Sequence, residues 1–329
     1  MELGVAVGLG CGMGVVQGGW RGSKGEPKRV LPEGVWDAFW MRHGRAGGLV
    51  VDGWATKQAS IGGKRVEVVH TEGLGVGLLG SLGAGDGGVF KEVWGQLEKM
   101  RRADGLYSWL WHEQEGVGGR VVDKNNAVDG DLMVLVACMR AWKKGVVWGG
   151  RAPGYWKERG EEVGRALLTK CVYRGEGTGE LRAGAGGLRG GAWVLGGVEG
   201  FIGAGGVLLV NPAYWLFEAF ELYGGREGAT REEELVCKRV IETGEWLLRR
   251  CLSKWGVVPD WVEVYEAGGG YWDVRLNREG LGKKEDWVGY EATRVAVYVG
   301  GSASVSREVR AGVLSYFGGR LRGGRAALE

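Results

Sequence analysis

Acidic residues recur at positions where predicted loops lead into predicted helices. These residues are Glu72, Asp129, Asp131, Asp260 and Glu291. If the helices close into a helical barrel, their N-terminal ends can converge on one face and form a cleft lined by carboxyl groups. A protonated carboxylic acid paired with an ionised carboxylate can donate one proton and accept another in the same reaction. The pattern therefore predicts general acid–base chemistry in a cleft between helix ends.

The stretch Asn126–Asp131 is central to this interpretation. It precedes Leu132–Trp142, a run that is apolar nearly all round and therefore predicts a helix buried on most sides. Asp131, directly before the run, predicts an N-cap, because its oxygen can accept hydrogen bonds from the first turn. One carboxylate is enough for a cap, so a second one, across a glycine that permits close backbone approach, can face a ligand. A cap with a solvated neighbour is the alternative interpretation.

The composition excludes some classes of protein and favours another. The 329 residues suffice for one large domain or two ordinary ones. The net charge of +3, from 43 basic and 40 acidic residues, gives no argument for a nucleic-acid partner. The 17 Trp and 10 Tyr are many for a chain of this length, and their flat apolar faces stack well on sugar rings. A carbohydrate cleft is therefore a reasonable hypothesis, although core packing is the commoner use of any single Trp.

Cysteine and histidine give no sign of a metal site. The cysteines are widely spread, at Cys11, Cys138, Cys171, Cys237 and Cys251. Without a CxxC pair they argue against a structural zinc site and a disulfide framework, and the last four, which lie in helical patterns, are interpreted as small buried hydrophobes. The three histidines show no metal-ligand spacing. We therefore predict no metal and no cofactor.

The periodicity of apolar residues predicts a mostly helical chain. Helices are predicted from Pro32, from Glu72 to about Leu82 with Thr71 as cap, after Asp86 as cap, over 155–172, from Asn211, over 231–254 and from Tyr290 to about Phe317. The remaining segments are predicted to be extended or irregular (47–70 and 258–262), a glycine-rich connection (174–209) and a hairpin (265–276). Alternating strand–helix units are absent, which argues against a doubly wound sheet or a TIM barrel.

Six short motifs occur in one order along the chain. They are Thr71-Glu72-Gly73, Trp109-Leu110-Trp111, Ala127-Val128-Asp129-Gly130-Asp131, Asn211-Pro212-Ala213-Tyr214, Pro259-Asp260-Trp261-Val262 and Tyr290-Glu291-Ala292-Thr293-Arg294. In this order they resemble the motifs of glycoside hydrolase family 8, over about 35–299. Each motif is weak alone, but six in the family's order are fairly specific. The resemblance is strongest to the endo-β-1,4-glucanases that accompany bacterial cellulose synthase.

The resemblance implies an all-α (α/α)6 barrel and an inverting enzyme that cuts β-1,4-linked glycans without a metal. It also implies a β-1,4-linked polysaccharide as substrate, a cellulose synthase complex as a candidate partner, and a periplasmic or secreted location. Family members usually run on beyond the helix that starts at Tyr290. A barrel truncated at the C-terminus is therefore a further expectation.

The N-terminal segment gives a weak indication of its role. Residues 2–19 are apolar and glycine-rich but lack a basic start, which makes a poor signal peptide. A cytoplasmic, unstructured terminus is the alternative. No later apolar run reaches the length of a membrane span. We expect residues 1–30 to be a poorly ordered leader or degenerate signal segment, and residues 31–329 to be the family 8-like catalytic domain.

The resemblance also implies roles for single residues. Glu72 corresponds to the general acid and Glu291 to the catalytic base, Asp129 to a residue that binds and distorts the sugar at the cleavage point, and Trp109 to a stacking platform. The other implied substrate-binding residues are Trp111, Asn211, Tyr214, Tyr290, which would hold the attacking water, and Arg294, which would orient the carboxylates. An acid favoured in a first helical turn by the helix dipole is the alternative interpretation of Glu72.

Three positions depart from the family pattern. The usual base is Asp, and Glu291 is one methylene longer, so that its carboxylate reaches about 1.5 Å further. An inverting site leaves about 6.5–9.5 Å between its carboxyl groups for the water, which a longer base can crowd. Leu74 and Val76 replace the Gln and Tyr that give polar support near the acid. These departures favour a second hypothesis, a catalytically weak or inactive glycan-binding protein on the same fold. A xylanase or chitosanase and a purely structural helical protein are further alternatives.

Overall fold

The computed structural model describes residues 31, 34–61, 64–174, 181–183, 186–188, 193–195, 207–268, 271–276 and 290–322. These residues form two compact units, the first ending at Thr169 and the second beginning at Lys170. Each unit is built mainly from α-helices, to which short antiparallel strands are added. The prediction of a mostly helical chain is therefore confirmed.

The first unit begins with a short helix and ends with a long one. Its helices are α1 (Val35–His43), α2 (Gly53–Gln58), α3 (Thr71–Ala84), α4 (Gly87–Lys99), α5 (Val128–Lys143) and α6 (Pro153–Lys170). Its strands are β1 (Gly44–Arg45), β2 (Leu49–Val50), β3 (Ser60–Ile61), β4 (Lys64–Arg65), β5 (Glu67–His70), β6 (Leu110–Gln114) and β7 (Gly118–Asp123). β1 pairs with β2 and β3 with β4, while β5, β6 and β7 form one antiparallel sheet in that order. Because β5 runs directly into α3, this sheet fixes where that helix begins.

Helices α3, α4 and α5 form the centre of the first unit, with α3 packed against both of the others. Helix α5 is buried on nearly all sides, as predicted, since every residue from Val128 to Met139 is buried. Gly75 allows α3 to approach α5 closely, because a β-carbon there would lie 2.6 Å from Met133 Cβ. This packing accounts for part of the small-residue composition of α3.

The starts of three helices test the predicted caps. Asp86 caps α4 as predicted, since its Oδ1 accepts from a first-turn backbone N–H at 3.0 Å. The caps predicted at Asp131 and Thr71 are wrong, because α5 begins earlier, at Val128, and α3 begins at Thr71 itself with His70 as the N-cap residue. The apolar periodicity hid the true start of α5, since its first turn contains two acids that are buried within the protein.

The segment 47–70 is only partly extended. Strands β2 to β5 lie in it, as predicted, but so does α2, a helix that the sequence analysis missed. Asp52 precedes that helix, and its Oδ1 accepts from the Ala55 N–H at 2.9 Å. Such an Asp is a local capping signal, but six residues are too few to show a helical period.

The second unit begins with short strands and ends with two helices. Its strands are β8 (Val172–Arg174), β9 (Leu181–Ala183), β10 (Gly186–Leu188), β11 (Trp193–Leu195), β12 (Leu208–Val210), β13 (Val262–Gly268) and β14 (Tyr271–Leu276). Its helices are a 3₁₀ turn (Pro212–Tyr214), α7 (Phe217–Gly224), α8 (Arg231–Trp255), α9 (Tyr290–Gly301) and α10 (Arg307–Arg322). β8 pairs with β11 and β9 with β10, and β12, β13 and β14 form an antiparallel sheet in that order.

Two predictions for the second unit are confirmed as they were made. The long helix predicted over 231–254 is α8, which Thr230 and Glu233 start with a reciprocal capping box. The hairpin predicted over 265–276 is β13–β14. The helix predicted from Asn211 is wrong in type, because only a 3₁₀ turn forms there and the α-helix begins at Phe217. The last helical region is divided into α9 and α10, and the connection predicted over 174–209 lies largely outside the described residues.

Four of the cysteines are buried, as predicted, and their thiols are free. They are Cys138, Cys171, Cys237 and Cys251, whereas Cys11 lies outside the described residues. Burial raises the pKa of the Cys237 thiol to about 12, which keeps it protonated and unreactive. Within the described ranges, no helix combines the length and the apolar character needed to cross a membrane.

Candidate active site

Two predicted site residues lie at the starts of neighbouring helices in the first unit. Glu72 is the second residue of α3 and is half-buried. Asp129 is the second residue of α5, is 4 % exposed, and accepts a hydrogen bond from the Gly130 N–H at 2.9 Å. Carboxylates in a first turn are stabilised by the partial positive charge of the helix N-terminus. Two such turns side by side therefore provide a favourable setting for a pair of acids.

Gly130 allows these two helix starts to meet. A β-carbon at this position would lie 2.5 Å from Thr71 Oγ1 and 3.0 Å from the backbone nitrogen of Glu72. The first of these contacts is too short for any real side chain, so the observed approach requires glycine. The glycine thus permits a close backbone approach, as predicted, but the partner observed in the structure is α3.

Asp131 is fully buried beside this contact and ties α5 to the segment that precedes β6. Its Oδ1 accepts from the Tyr107 N–H at 3.0 Å, and its Oδ2 accepts from Asn126 Nδ2 at 2.8 Å. Burial raises the pKa of Asp131 to about 8; the nearby charge of Asp129 adds to the rise, and the two hydrogen bonds oppose it. Asp131 is therefore an anchor inside the protein rather than the cap that the sequence predicted.

Trp109 lies at the end of the anchored segment, next to the start of α3. Its backbone N–H donates to the Asn125 carbonyl at 2.8 Å, and its carbonyl accepts from the Thr71 N–H at 3.0 Å. The second bond satisfies one of the backbone donors left open at the start of α3. The indole is half-buried, with its ring centroid 5.1 Å from that of His70. A partly exposed indole on an anchored backbone close to Glu72 is suited to stacking on a sugar ring.

Trp111 lies within β6 and is placed differently. Only 7 % of the residue is exposed, and its Nε1 donates to Glu113 Oε2 at 2.9 Å. Lys99 Nζ lies 6.0 Å from the ring centroid, which is within cation–π range. The structure therefore gives Trp111 a packing role in the sheet and leaves it little surface for a ligand.

His70 is a residue of this site that the sequence analysis missed. It ends β5 and is the N-cap residue of α3, but its side chain makes no capping hydrogen bond. Its Nδ1 lies 3.7 Å from Asp52 Oδ2. Burial lowers the pKa of His70, while the charges of Asp52 and Asp129 oppose that fall. Its position two residues before a candidate acid was the only available signal.

The second unit brings two of the motifs together. Helix α9, which begins with Tyr290 and Glu291, packs against the 3₁₀ turn that follows Asn211. Asn211 is fully buried, and its Oδ1 accepts from the Ala213 N–H at 2.9 Å. The side chains of Tyr290 and Glu291 lie outside the described part of the chain. The predicted base is therefore located by its helix alone.

Three further motif residues lie on these elements. Tyr214 is 9 % exposed, and its ring lies edge-on to Trp261 with centroids 5.9 Å apart. Arg294, one turn into α9, is 8 % exposed, and Asp260 is half-buried just before β13. In the part of the chain that the structure describes, no three His, Cys, Asp or Glu side chains are arranged to hold a metal ion. The functional groups that the motif residues of this unit offer are carboxylates, an amide, aromatic rings and the guanidinium of Arg294.

Comparison with known proteins finds a protein family whose sequence model matches this chain. The sequence model of glycosyl hydrolases family 8 matches residues 53–318. The probable endoglucanase of Novacetimonas hansenii is 26 % identical over 276 residues, which are 80 % of this chain and 65 % of the relative. The endoglucanase of Escherichia coli (strain K12) is 28 % identical over 239 residues, which are 71 % of this chain and 55 % of the relative. This chain thus spans between about half and two thirds of the length of these curated relatives.

Two solved structures of endoglucanases share the fold. The endoglucanase Cel10 of Klebsiella pneumoniae, a family 8 glycosyl hydrolase, aligns with a TM-score of 0.64 at 20 % identity, over 88 % of this chain and 78 % of that one. The endo-β-1,4-glucanase CMCax of Acetobacter xylinum aligns with a TM-score of 0.58 at 24 % identity, over 86 % of this chain and 76 % of that one. The predicted all-α (α/α)6 fold class is confirmed.

Proposed function

The chain belongs to glycosyl hydrolase family 8, and we propose that it is an inverting endo-β-1,4-glucanase acting on cellulose or a related β-1,4-linked glycan. The observation that carries the proposal is the meeting of two acidic helix starts, at Glu72 and Asp129, beside the half-buried indole of Trp109. Carboxyl groups next to an aromatic platform are what hydrolysis of a glycosidic bond requires.

In the proposed reaction Glu72 is the general acid. Its carboxyl proton passes to the glycosidic oxygen while the bond between that oxygen and the anomeric carbon breaks. Glu291 is the general base and takes a proton from a water molecule, whose oxygen bonds to the anomeric carbon from the opposite face. One sugar leaves with a hydroxyl group, and the other gains an anomeric hydroxyl of inverted configuration.

Substrate binding is assigned to residues of several motifs. We assign to Trp109 the stacking of one sugar ring, and to Asp129 the binding and distortion of the sugar at the cleavage point. In the second unit the roles are assigned by motif. Tyr290 holds the attacking water and Arg294 orients the carboxylates. Asn211 and Tyr214 contact the substrate. Trp111 was assigned a substrate contact by its motif, and its burial favours an indirect role through the sheet.

A glycan-binding protein with weak or no activity is the second candidate function. Glu291, where the family usually has Asp, favours it, and so does Leu74, whose apolar side chain is fully buried where the family has a polar one. Both changes act on the catalytic step and leave the aromatic platform intact. Binding without turnover is therefore the outcome that distinguishes the second candidate from the first.

Release of reducing ends from carboxymethyl-cellulose tests the proposal. We expect the parent chain to be active, Glu72→Gln to lose roughly 10²- to 10⁴-fold in rate, and Glu67→Gln to match the parent. Glu67 is a suitable control because it belongs to an ion pair with Arg45, in which both side chains are partly exposed, away from the helix starts. A folded parent that binds cellohexaose but releases no reducing ends would reject the hydrolase and support the binding protein. Faster cleavage of xylan or chitosan would reject cellulose as the substrate.

The resemblance to endoglucanases that accompany bacterial cellulose synthase supports two further proposals. The substrate is proposed to be met in the periplasm or outside the cell, and the partner to be a cellulose synthase complex. Fractionation of the producing cells tests the first proposal, because recovery of the protein in the cytoplasmic fraction alone would reject it. Copurification with the synthase from solubilised membranes tests the second.

A further inference from the structure

His70 joins β5 to α3, close to both Glu72, the candidate acid, and Trp109, the candidate sugar platform. It is the last residue of β5 and the residue before α3, so its backbone leads directly to Glu72. Its backbone is extended, with φ −108° and ψ 149°, and its side chain takes no part in capping the helix. The imidazole is therefore available for other contacts.

The His70 ring packs on Trp109. The two ring centroids are 5.1 Å apart, and the ring planes are inclined by 32°. The backbone of Trp109 is held on both sides by hydrogen bonds, to Asn125 and to Thr71. These bonds fix where the side chain starts, but they leave the plane of the indole to be set by what packs against it. Among the described residues, His70 is the aromatic side chain in ring contact with Trp109.

Asp52 is a second neighbour of the His70 ring. One carboxylate oxygen of Asp52 accepts from the Ala55 N–H at 2.9 Å, and its backbone N–H donates to the Val68 carbonyl at 2.9 Å. Asp52 is therefore fixed by two bonds that do not involve His70. Its other oxygen, Oδ2, lies 3.7 Å from His70 Nδ1. That separation is longer than a hydrogen bond, and it gives an attraction between charges once the ring is protonated.

We propose that His70 is a positioning residue for substrate binding: its ring, which packs on Trp109, sets the plane in which the indole meets a sugar ring. This inference rests on the proposed function, because it assigns Trp109 to the sugar platform. His70 touches neither the scissile bond nor a reacting atom in this role. It acts through Trp109.

The position of His70 also makes the platform sensitive to pH. The titratable groups that face it are Asp52 before α2, Asp129 in α5 and His112 in β6. Burial lowers the pKa of His70 and outweighs the two carboxylates, so the ring is neutral near pH 7 and gains its charge below its ordinary value of about 6.5. A charged ring is attracted to Asp52 and repelled by the positive end of α3. Glycan affinity should therefore fall as the pH falls through the mildly acidic range.

Calorimetric binding of cellohexaose tests the proposal, with all variants made in the Glu72→Gln chain so that the ligand is not consumed. Loss of an aromatic contact should weaken binding by roughly 3- to 10-fold in His70→Ala. His70→Phe keeps a flat ring and should bind within about twofold of the Glu72→Gln chain at pH 7. It should also remove the fall in affinity between pH 7 and pH 5. His43→Ala is the matched control, because His43 packs on Phe39 at 5.0 Å rather than on Trp109.

Three outcomes would overturn the proposal. The first is His70→Ala binding as tightly as the Glu72→Gln chain. The second is His70→Phe, folded by circular dichroism, binding as weakly as His70→Ala. The third is a fall in affinity at low pH that His70→Phe retains. If His70→Ala fails to fold, His70→Phe and its pH profile decide the question alone. A Glu72→Gln chain that binds no cellohexaose at all rejects the proposed function itself and this inference with it.

Discussion

Gly130 in α5 lies directly against Thr71 in α3, and a β-carbon on the glycine would fall 2.5 Å from the Thr71 hydroxyl oxygen. The Thr71 hydroxyl is buried and has no hydrogen-bond partner among the described residues. Packing of one helix start on the other, rather than polar pairing at this hydroxyl, therefore accounts for the contact. The separation of Glu72 and Asp129 is thus set by two neighbours that take no part in the proposed chemistry.

Replacement of Gly130 by alanine should separate the two helix starts. Overpacking of this kind costs about 1–3 kcal/mol of folding free energy. A displacement of about 1 Å at a catalytic group costs on the order of 100-fold in rate. We therefore expect Gly130→Ala to lower both the urea midpoint and the release of reducing ends from carboxymethyl-cellulose, the second by at least about 10-fold.

Gly95→Ala is the matched control, because Gly95 is an exposed glycine within α4 and a β-carbon there meets nothing within 4 Å. Alanine is the better helix former by up to about 1 kcal/mol, so this variant should be slightly more stable and equally active. Equal stability and activity of the two alanine variants would contradict the packing argument.

Asp131 should make folding stability depend on pH. Its folded pKa is about 8, well above the value of about 3.9 in an unfolded chain. Between these values the folded state holds a proton that the unfolded state has released, so the contribution of Asp131 to stability falls as the pH rises from about 4 to about 8. Asp131→Asn does not titrate. The stability of this variant relative to the parent should therefore improve by about 1 kcal/mol or more between pH 5 and pH 8.

Urea unfolding at the two pH values measures this difference, and Asp123→Asn serves as the control. Asp123 is exposed, and its carboxylate accepts from the Asn125 N–H at 2.8 Å, which an amide oxygen can also do. The gap between Asp123→Asn and the parent should be the same at pH 5 and pH 8. A gap between Asp131→Asn and the parent that is also independent of pH would show that Asp131 is ionised in the folded protein.

The features that were predicted correctly from the sequence are those that depend on residues close together in the chain. The cap at Asp86 was predictable because its partner, Val89, is three residues away. Asp131 was taken for a cap because one of its two partners, the Tyr107 N–H, is 24 residues away and leaves no local pattern. The role of His70 was missed for the same reason, since Asp52 and Trp109 reach it only through the fold.

The motif order predicted the family and the fold, and the pattern of acids at loop-to-helix junctions placed Glu72 and Asp129 at helix starts that do meet. The Trp-Leu-Trp motif gave Trp109 and Trp111 the same substrate-binding role, but the structure places the two side chains in different surroundings. Trp111 lies in the central strand of a sheet, between β5 and β7, whereas Trp109 lies before that strand. Burial of this kind follows from strand pairing between distant segments, which a three-residue motif does not contain.

Shortening the proposed base should raise activity. Glu291 is one methylene longer than the usual Asp, and an inverting site has a limited space for its water. If the longer side chain displaces its carboxylate by about 1 Å, Glu291→Asp should increase the rate of reducing-end release by about 10-fold or more, with little change in KM. Glu291→Gln should lose most of the parent's activity. A decrease in rate for Glu291→Asp would mean that the backbone already accommodates the longer acid.

Trp109 and Trp111 should respond to substitution in opposite ways. Trp109 is half-buried beside the candidate acid, so Trp109→Ala should weaken cellohexaose binding by about 10-fold while changing stability little. Trp111 is 7 % exposed and donates to Glu113, so Trp111→Phe should leave binding unchanged and cost roughly 1–2 kcal/mol of folding free energy. Calorimetry measures the affinity of both variants for cellohexaose, and urea unfolding measures their folding free energies. If Trp111→Phe loses affinity while Trp109→Ala keeps it, the sugar platform lies on the sheet, and the helix starts at Glu72 and Asp129 are not beside it.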